Sequence, residues 1–141
     1  MPRKKSGFPI PAVAPMFETI TKTAKKNLSF RKKVFGGKFS ELVEMSILPG
    51  NELGEEVHNR GDEILFIVQG KGLVTIEDVM ARANRHCAIF VKAGMRHNLR
   101  NIGRRDLKLL CVCSPPFTTH TGIHLWGELA AEERMAYTWE Q

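Results

Sequence analysis

The chain has 141 residues, 43% of them hydrophobic and 26% charged, the make-up of one globular domain that can bury a core without disulfide staples. No apolar run reaches the roughly 18–20 residues that span a bilayer, and the basic opening "MPRKKSGFPIPAVAP" has no apolar signal core, so a cytoplasmic protein without membrane contact is expected. The net charge of +6 is concentrated toward the N-terminal end, in runs such as Arg31, Lys32 and Lys33. No RNP-like or helix-turn-helix pattern accompanies it. The excess therefore reads as a solvated basic face, or as attraction for an anionic small molecule, and not as a nucleic-acid site.

In chain order, Pro2, Pro9, Pro11 and Pro15 forbid a helix and predict an N-terminal extended arm or lead-in over 1–27. Its "FPIPAV" suits a groove on a neighbouring subunit. "MFETITKTAKKN" fits either a short helix or an extended segment. Strands follow. "FRKKVF" and "FSELVEMSIL" are split by the turn signal "GGK". Alternation in the second puts Val43, Met45 and Ile47 on one clean apolar face. "EILFIVQGKGLVTIED" predicts a hairpin with its tight turn at Gly70 and Gly72, and "HCAIFVKAGMRHNLRNIG" and "LKLLCVCSPP" add three further short strands. Short strands at this spacing predict an all-β antiparallel sandwich or barrel over 28–126. Helix formers then predict a short C-terminal helix over 127–141, with Leu129, Met135 and Trp139 on its apolar side. Cys87, Cys111 and Cys113 form no CxxC and read as reduced core thiols, not as a thiolate metal site.

The chemistry concentrates in "GEEVHNRGDEILFIVQGKG". Glu56 and His58 stand two apart, so on a strand they share a face. "NRGD" supplies a turn, and a hairpin there brings Glu63 back beside His58. His97, after a turn at Gly94 in "VKAGMRHNLRN", is a fourth candidate if two hairpins converge on one cavity. Imidazole and carboxylate donors suit Zn, Fe(II), Mn or Ni. Each residue alone has a plain structural reading; the combination in order is much rarer.

These two stretches resemble the cupin motifs. His58, four residues, Glu63, six residues and Gly70 follow the first motif. Gly94, two residues, His97, three residues and Asn101 follow the second. The likeness runs from about Asn27 to the "GIH" segment and is strongest to small single-domain bacterial cupins of sugar-phosphate-isomerase-like type. It implies a double-stranded β-helix, the jelly roll, with one divalent metal in the barrel mouth held by Glu56, His58, Glu63 and His97. Three positions depart from the pattern. Glu56 stands where the first His of a His-x-His pair is expected, Lys92 replaces a Pro, and His86 replaces a Gly. With Glu56 as a ligand, two carboxylates and a divalent ion form a neutral set, leaning toward Mn or Fe(II). Otherwise Glu56 is a general base beside three ligands.

The resemblance implies a small-molecule enzyme, an isomerase or epimerase or a dioxygenase; the alternative is a non-catalytic ligand-binding or sensor cupin. Around the mouth, Asn98 and Asn101 are candidates to orient His97 or a ligand. Arg96 and Arg100 are candidates for an anionic substrate or for outside salt bridges. His120 and His124 are candidates for the cavity entrance. Sheet edges and an apolar outer face lead to the expectation of a homodimer.

Overall fold

The structure is a computed structural model that describes residues 18–117. A short helix, α1 (Ile20–Lys26), precedes nine strands: β1 (Arg31–Gly36), β2 (Glu41–Ile47), β3 (Glu56–Val57), β4 (Asp62–Gln69), β5 (Lys71–Ile76), β6 (Val79–Asn84), β7 (Ala88–Val91), β8 (Arg96–Asn101) and β9 (Leu107–Ser114). They form two antiparallel sheets, in the orders β1-β2-β9-β4-β7 and β3-β8-β5-β6. This is the all-β jelly roll expected. Of the lead-in, Ile20–Lys26 is helical. The proline arm and the predicted C-terminal helix lie outside the described residues. No described helix is long and apolar enough to cross a membrane.

Cross-strand register decides what faces the interior. On the five-stranded sheet one row runs Glu41, Cys113, Glu63 and Val91; a second runs Lys33, Val43, Cys111, Leu65 and Ile89; a third runs Arg31, Met45, Leu109 and Ile67. Val43, Met45, Leu65, Ile67 and Leu109 are buried in the main core, as the alternation in β2 predicts. The buried carboxylates Glu41 and Glu63 enter the same interior in the first row, while Lys33 and Arg31 extend the second and third rows from the edge strand β1. On the outer face, α1 covers Val68 and Leu110 through Ala24 and Ile20. Two buried charges hold this contact. Thr23 bonds Glu44, and Lys108 donates to the Asn27 carbonyl and, at 2.8 Å, to Ser46 Oγ. Lys108 and one Glu44 oxygen thus keep partners on leaving water, while Glu44 Oε2 makes no hydrogen bond among the described residues.

Two expected hairpins are absent. β4 and β5 flank Gly70 but belong to different sheets, as do β3 and β4 on either side of "NRGD". Both turns are corners where the chain crosses between sheets. At Gly70 the corner needs φ +99, and a Cβ there would lie 3.1 Å from both the Asp106 oxygen and Leu107 Cα. The actual hairpin joins β5 to β6 across Glu77 and Asp78. β6 carries no sequence signal because it is a largely exposed edge strand with no apolar alternation.

Gly70→Ala is expected to cost about 1–3 kcal/mol through backbone strain, plus the contact with Asp106 and Leu107. Gly54→Ala, at φ +92 with nothing within 4 Å, should cost less, about 1 kcal/mol. Urea unfolding of the two variants checks the difference.

Candidate metal centre

Glu56 and His97 are cross-strand partners on β3 and β8. His58 follows β3 by one residue, and its carbonyl accepts the Gly94 amide at 2.9 Å. That bond ties the loop of the first motif to the turn of the second, at a glycine with φ +85, and so fixes His58 relative to His97. Glu63 comes from β4 of the opposite sheet. The two sheets thus supply the donors from opposing walls, not along one hairpin.

All four expected ligands meet. His58 Nε2 is 3.0 Å from Glu56 Oε2 and 3.5 Å from Glu63 Oε2; His97 Nε2 is 3.4 Å from each of the same two oxygens. One donor atom from each residue falls within 4.8 Å of all the others. All four side chains are at most 2% exposed, so water does not screen them. Donors held about 2.1 Å from one cation are separated by about 3.0–3.4 Å along the edges of an octahedron or tetrahedron, which matches. Glu63 Oε2 and His97 Nε2 are buried and make no hydrogen bond among the described residues. A cation would satisfy both, and the residues fit a divalent ion on that ground.

Electrostatics point the same way. Burial would raise the Glu56 carboxyl, but the imidazoles of His58 and His97 and the charge of Arg31 outweigh it and hold it at about 2. Burial likewise opposes ionisation of Glu63, which is still lowered by the neighbouring His97 and His58. His97 is destabilised as a cation by burial, yet the two carboxylates push it up to about 10. Without an ion, a proton on His97 does part of the ion's work. Its Nδ1 lies 3.0 Å from the Met95 carbonyl, to which it donates, so Nε2 points at the carboxylates.

The surroundings hold groups the sequence does not announce. The Phe117 ring stacks on His58, with centroids 4.5 Å apart and an interplanar angle of 6°. Its amide donates to Glu41 Oε1 at 2.7 Å. Cys111 donates to Glu63 Oε1 at 2.7 Å, and Cys113 Sγ is 3.6 Å from Cys111 Sγ. The thiols are buried as expected, but Cys111 also holds the second oxygen of a metal-facing carboxylate. Burial raises both thiols. Arg31 raises no barrier to a hydrogen-bonding role but, as a fixed positive charge felt by both, opposes a second cation at Glu63, Cys111 and Cys113.

Other candidates lie elsewhere. Asn101 donates to the Ile47 and Arg105 carbonyls at 2.8 Å, so it braces loops and does not orient His97. Asn98 donates to Glu52 at 2.9 Å. Arg96 pairs with Glu55 and Asp78 on the outside, the plainer of the two expectations. Arg100 is exposed. His120 and His124 are outside the described residues. A groove of about 620 Å³, lined by Leu28, Phe30, Leu48 and Arg100 among others, includes none of the four donors.

The chain belongs to the cupin family: the cupin domain (Cupin_2) matches residues 43–113. A Bacillus subtilis protein, uncharacterized YrkC, is 33% identical over 120 residues, 78% of this chain. The alignment covers 62% of that relative, so the chain spans under two thirds of its length. Among solved structures, BH2720 from Bacillus halodurans is 32% identical with TM-score 0.74, covering 78% of this chain and 88% of that one. A Thermotoga maritima structure described as a predicted oxalate decarboxylase is 26% identical with TM-score 0.53, covering 55% and 68%.

Two outcomes are expected. In the metal-free protein, His97, raised from 6.5 to about 10, contributes stability that is full below pH 6.5 and lost as pH rises through 10. Glu56, lowered from 4.5 to about 2, contributes stability that is full above pH 4.5 and lost as pH falls through 2. Both are complete only between pH 4.5 and 6.5. Urea midpoints against pH in chelator should lose the alkaline slope in His97→Gln. Separately, Cys111→Val should leave the fold intact and weaken metal affinity about 10–100-fold by freeing Glu63, as read by chelator competition; Cys113→Val should change it far less.

Proposed function

We propose that the protein is a metal-dependent enzyme acting on a small molecule that chelates one divalent ion through two oxygens. The convergence of Glu63 Oε2 and His97 Nε2, buried and without a hydrogen bond among the described residues, with two further donors carries this reading. His58, Glu63 and His97 would hold the ion, with Glu56 beside them. When bound, the ion supplies Lewis acidity toward a carbonyl or enediolate oxygen. The carboxylate-containing set favours Mn or Fe(II) over a thiophilic metal.

The residues divide the remaining work. Glu56 Oε2 is hydrogen-bonded to His58 at 3.0 Å, whereas Glu63 Oε2 makes only longer ion pairs, 3.5 Å to His58 and 3.4 Å to His97. Glu56 is thus the carboxylate suited to move a proton between substrate atoms, as an isomerase or epimerase requires. Cys111 fixes Glu63 and the Met95 carbonyl fixes His97, so both keep aim as charge shifts. Phe117 covers one face of His58 and excludes water. Two imidazoles and one carboxylate are also the donor set of Fe(II) oxygenases, and that composition favours a dioxygenase as the second reading.

Protein purified without chelator should carry about one Mn or Fe per chain by elemental analysis. His58→Ala and His97→Ala should carry less than about a tenth of that, since each removes a donor and leaves two buried carboxylates uncompensated. Glu56→Gln should keep most of the metal while losing solvent-deuterium exchange into hydroxy-ketone substrates. Wild-type protein without metal, or variants that retain it, sinks the enzyme reading in favour of a ligand-binding cupin. Oxygen uptake with diketones or aromatic acids selects the oxygenase.

A further inference from the structure

We propose that Arg31 anchors a negatively charged group of the molecule bound at this centre, so that the ligand is a small carboxylate held between the ion and the Arg31 guanidinium. The inference rests on the metal-centre reading and adds a substrate class to it.

By sequence, Arg31 belongs to a solvated basic run with Lys32 and Lys33. The fold separates them. Lys32 is exposed, while the pairing of Arg31 with Met45 and of Lys33 with Val43 turns these two, both partly buried, to the interior side, where Lys33 faces Glu41. The Arg31 guanidinium carbon lies 5.7 Å from the centroid of the Phe117 ring, the ring that stacks on His58. The guanidinium is thus one aromatic ring away from a metal-facing imidazole.

Its Nη1 is closed to solvent and has no hydrogen-bond partner among the described residues. Buried charged donors are normally paired. Burial, which alone would lower the Arg31 pKa, is outweighed by Cys111, Glu56, Glu63 and Cys113. That compensation lasts only while the two carboxylates keep their charge for Arg31. A divalent ion balancing both carboxylates would leave the Arg31 guanidinium without that compensation. A monoanion would restore it. The planar fork of an arginine matches a carboxylate through two parallel hydrogen bonds, and a carboxylate next to a second oxygen can also chelate the ion.

The test uses full-length protein loaded with Co(II), whose visible absorption reports ligand entry. Pyruvate is titrated against its neutral isostere pyruvamide. Wild type should bind pyruvate at least about tenfold more tightly than pyruvamide. Arg31→Gln should keep the Co(II) stoichiometry, lose that preference by weakening pyruvate alone, and leave pyruvamide unchanged. Arg31→Lys should recover part of it and serves if the glutamine variant fails to fold. Equal binding of the two probes by wild type, undiminished pyruvate binding by both variants, or no binding of pyruvate, lactate, oxalate or malonate would overturn the proposal. Wild type that takes up no Co(II) overturns the metal-centre reading itself, and the two failures are thereby told apart.

Discussion

One carboxylate, Glu63, sets the terms for the rest of the barrel mouth. It is 1% exposed and projects from β4 into the interior, in one row with Glu41, Cys113 and Val91. Removing a carboxylate from water costs several kcal/mol unless its lone pairs and charge are answered. Its two oxygens are answered from different sides: Oε1 by the Cys111 thiol, Oε2 by the imidazoles of His58 and His97. Glu56 adds a second negative charge to the same space. Positive charge must then come from a proton on His97, from Arg31, or from a metal ion. The residues at the mouth are the ways in which this fold supplies it.

The division of the donors between two sheets has a mechanical consequence. Glu56 and His97 belong to the four-stranded sheet and Glu63 to the five-stranded one. Whatever sits among them, proton or cation, bridges the walls of the barrel. The aliphatic core below already clamps the two walls, so the mouth can hold repelling carboxylates without opening. The Gly94–His58 amide bond performs the same service between the two loops. Rigidity comes from the packed rows, and the polar cluster uses it to hold fixed distances.

Much of this was legible in the sequence, for identifiable reasons. Glu56 and His58 share a side because strand side chains alternate, and β2 shows its core face through Val43, Met45 and Ile47. The four donors followed from their spacing and the cupin resemblance. The pairing did not follow. A glycine-rich break between two apolar runs looks the same whether the strands pair or turn a corner, and the groups that make Gly70 a corner, Asp106 and Leu107, lie far along the chain. Arg31 was hidden by its neighbours: three consecutive basic residues look like one solvated patch, and only the register with β2 turns Arg31 and Lys33 inward and leaves Lys32 outside. Asn101 kept its motif position but serves the Ile47 and Arg105 carbonyls. Phe117 follows the last strand and carries no periodic signal.

Glu56 and Arg31 gain meaning when taken together. A His in place of Glu56, as in the usual motif, would leave Glu63 as the sole carboxylate beside a divalent ion. The ion, Glu63 and Arg31 would then sum to two positive charges. Glu56 brings this to one. In a buried site, each uncompensated charge is expensive, so the charge of the preferred ligand should track that of the cavity. On the proposed metal-bound reading, the departure from the family pattern and the inward-facing arginine are two parts of one electrostatic balance, and that balance is the reason for proposing a monoanionic ligand.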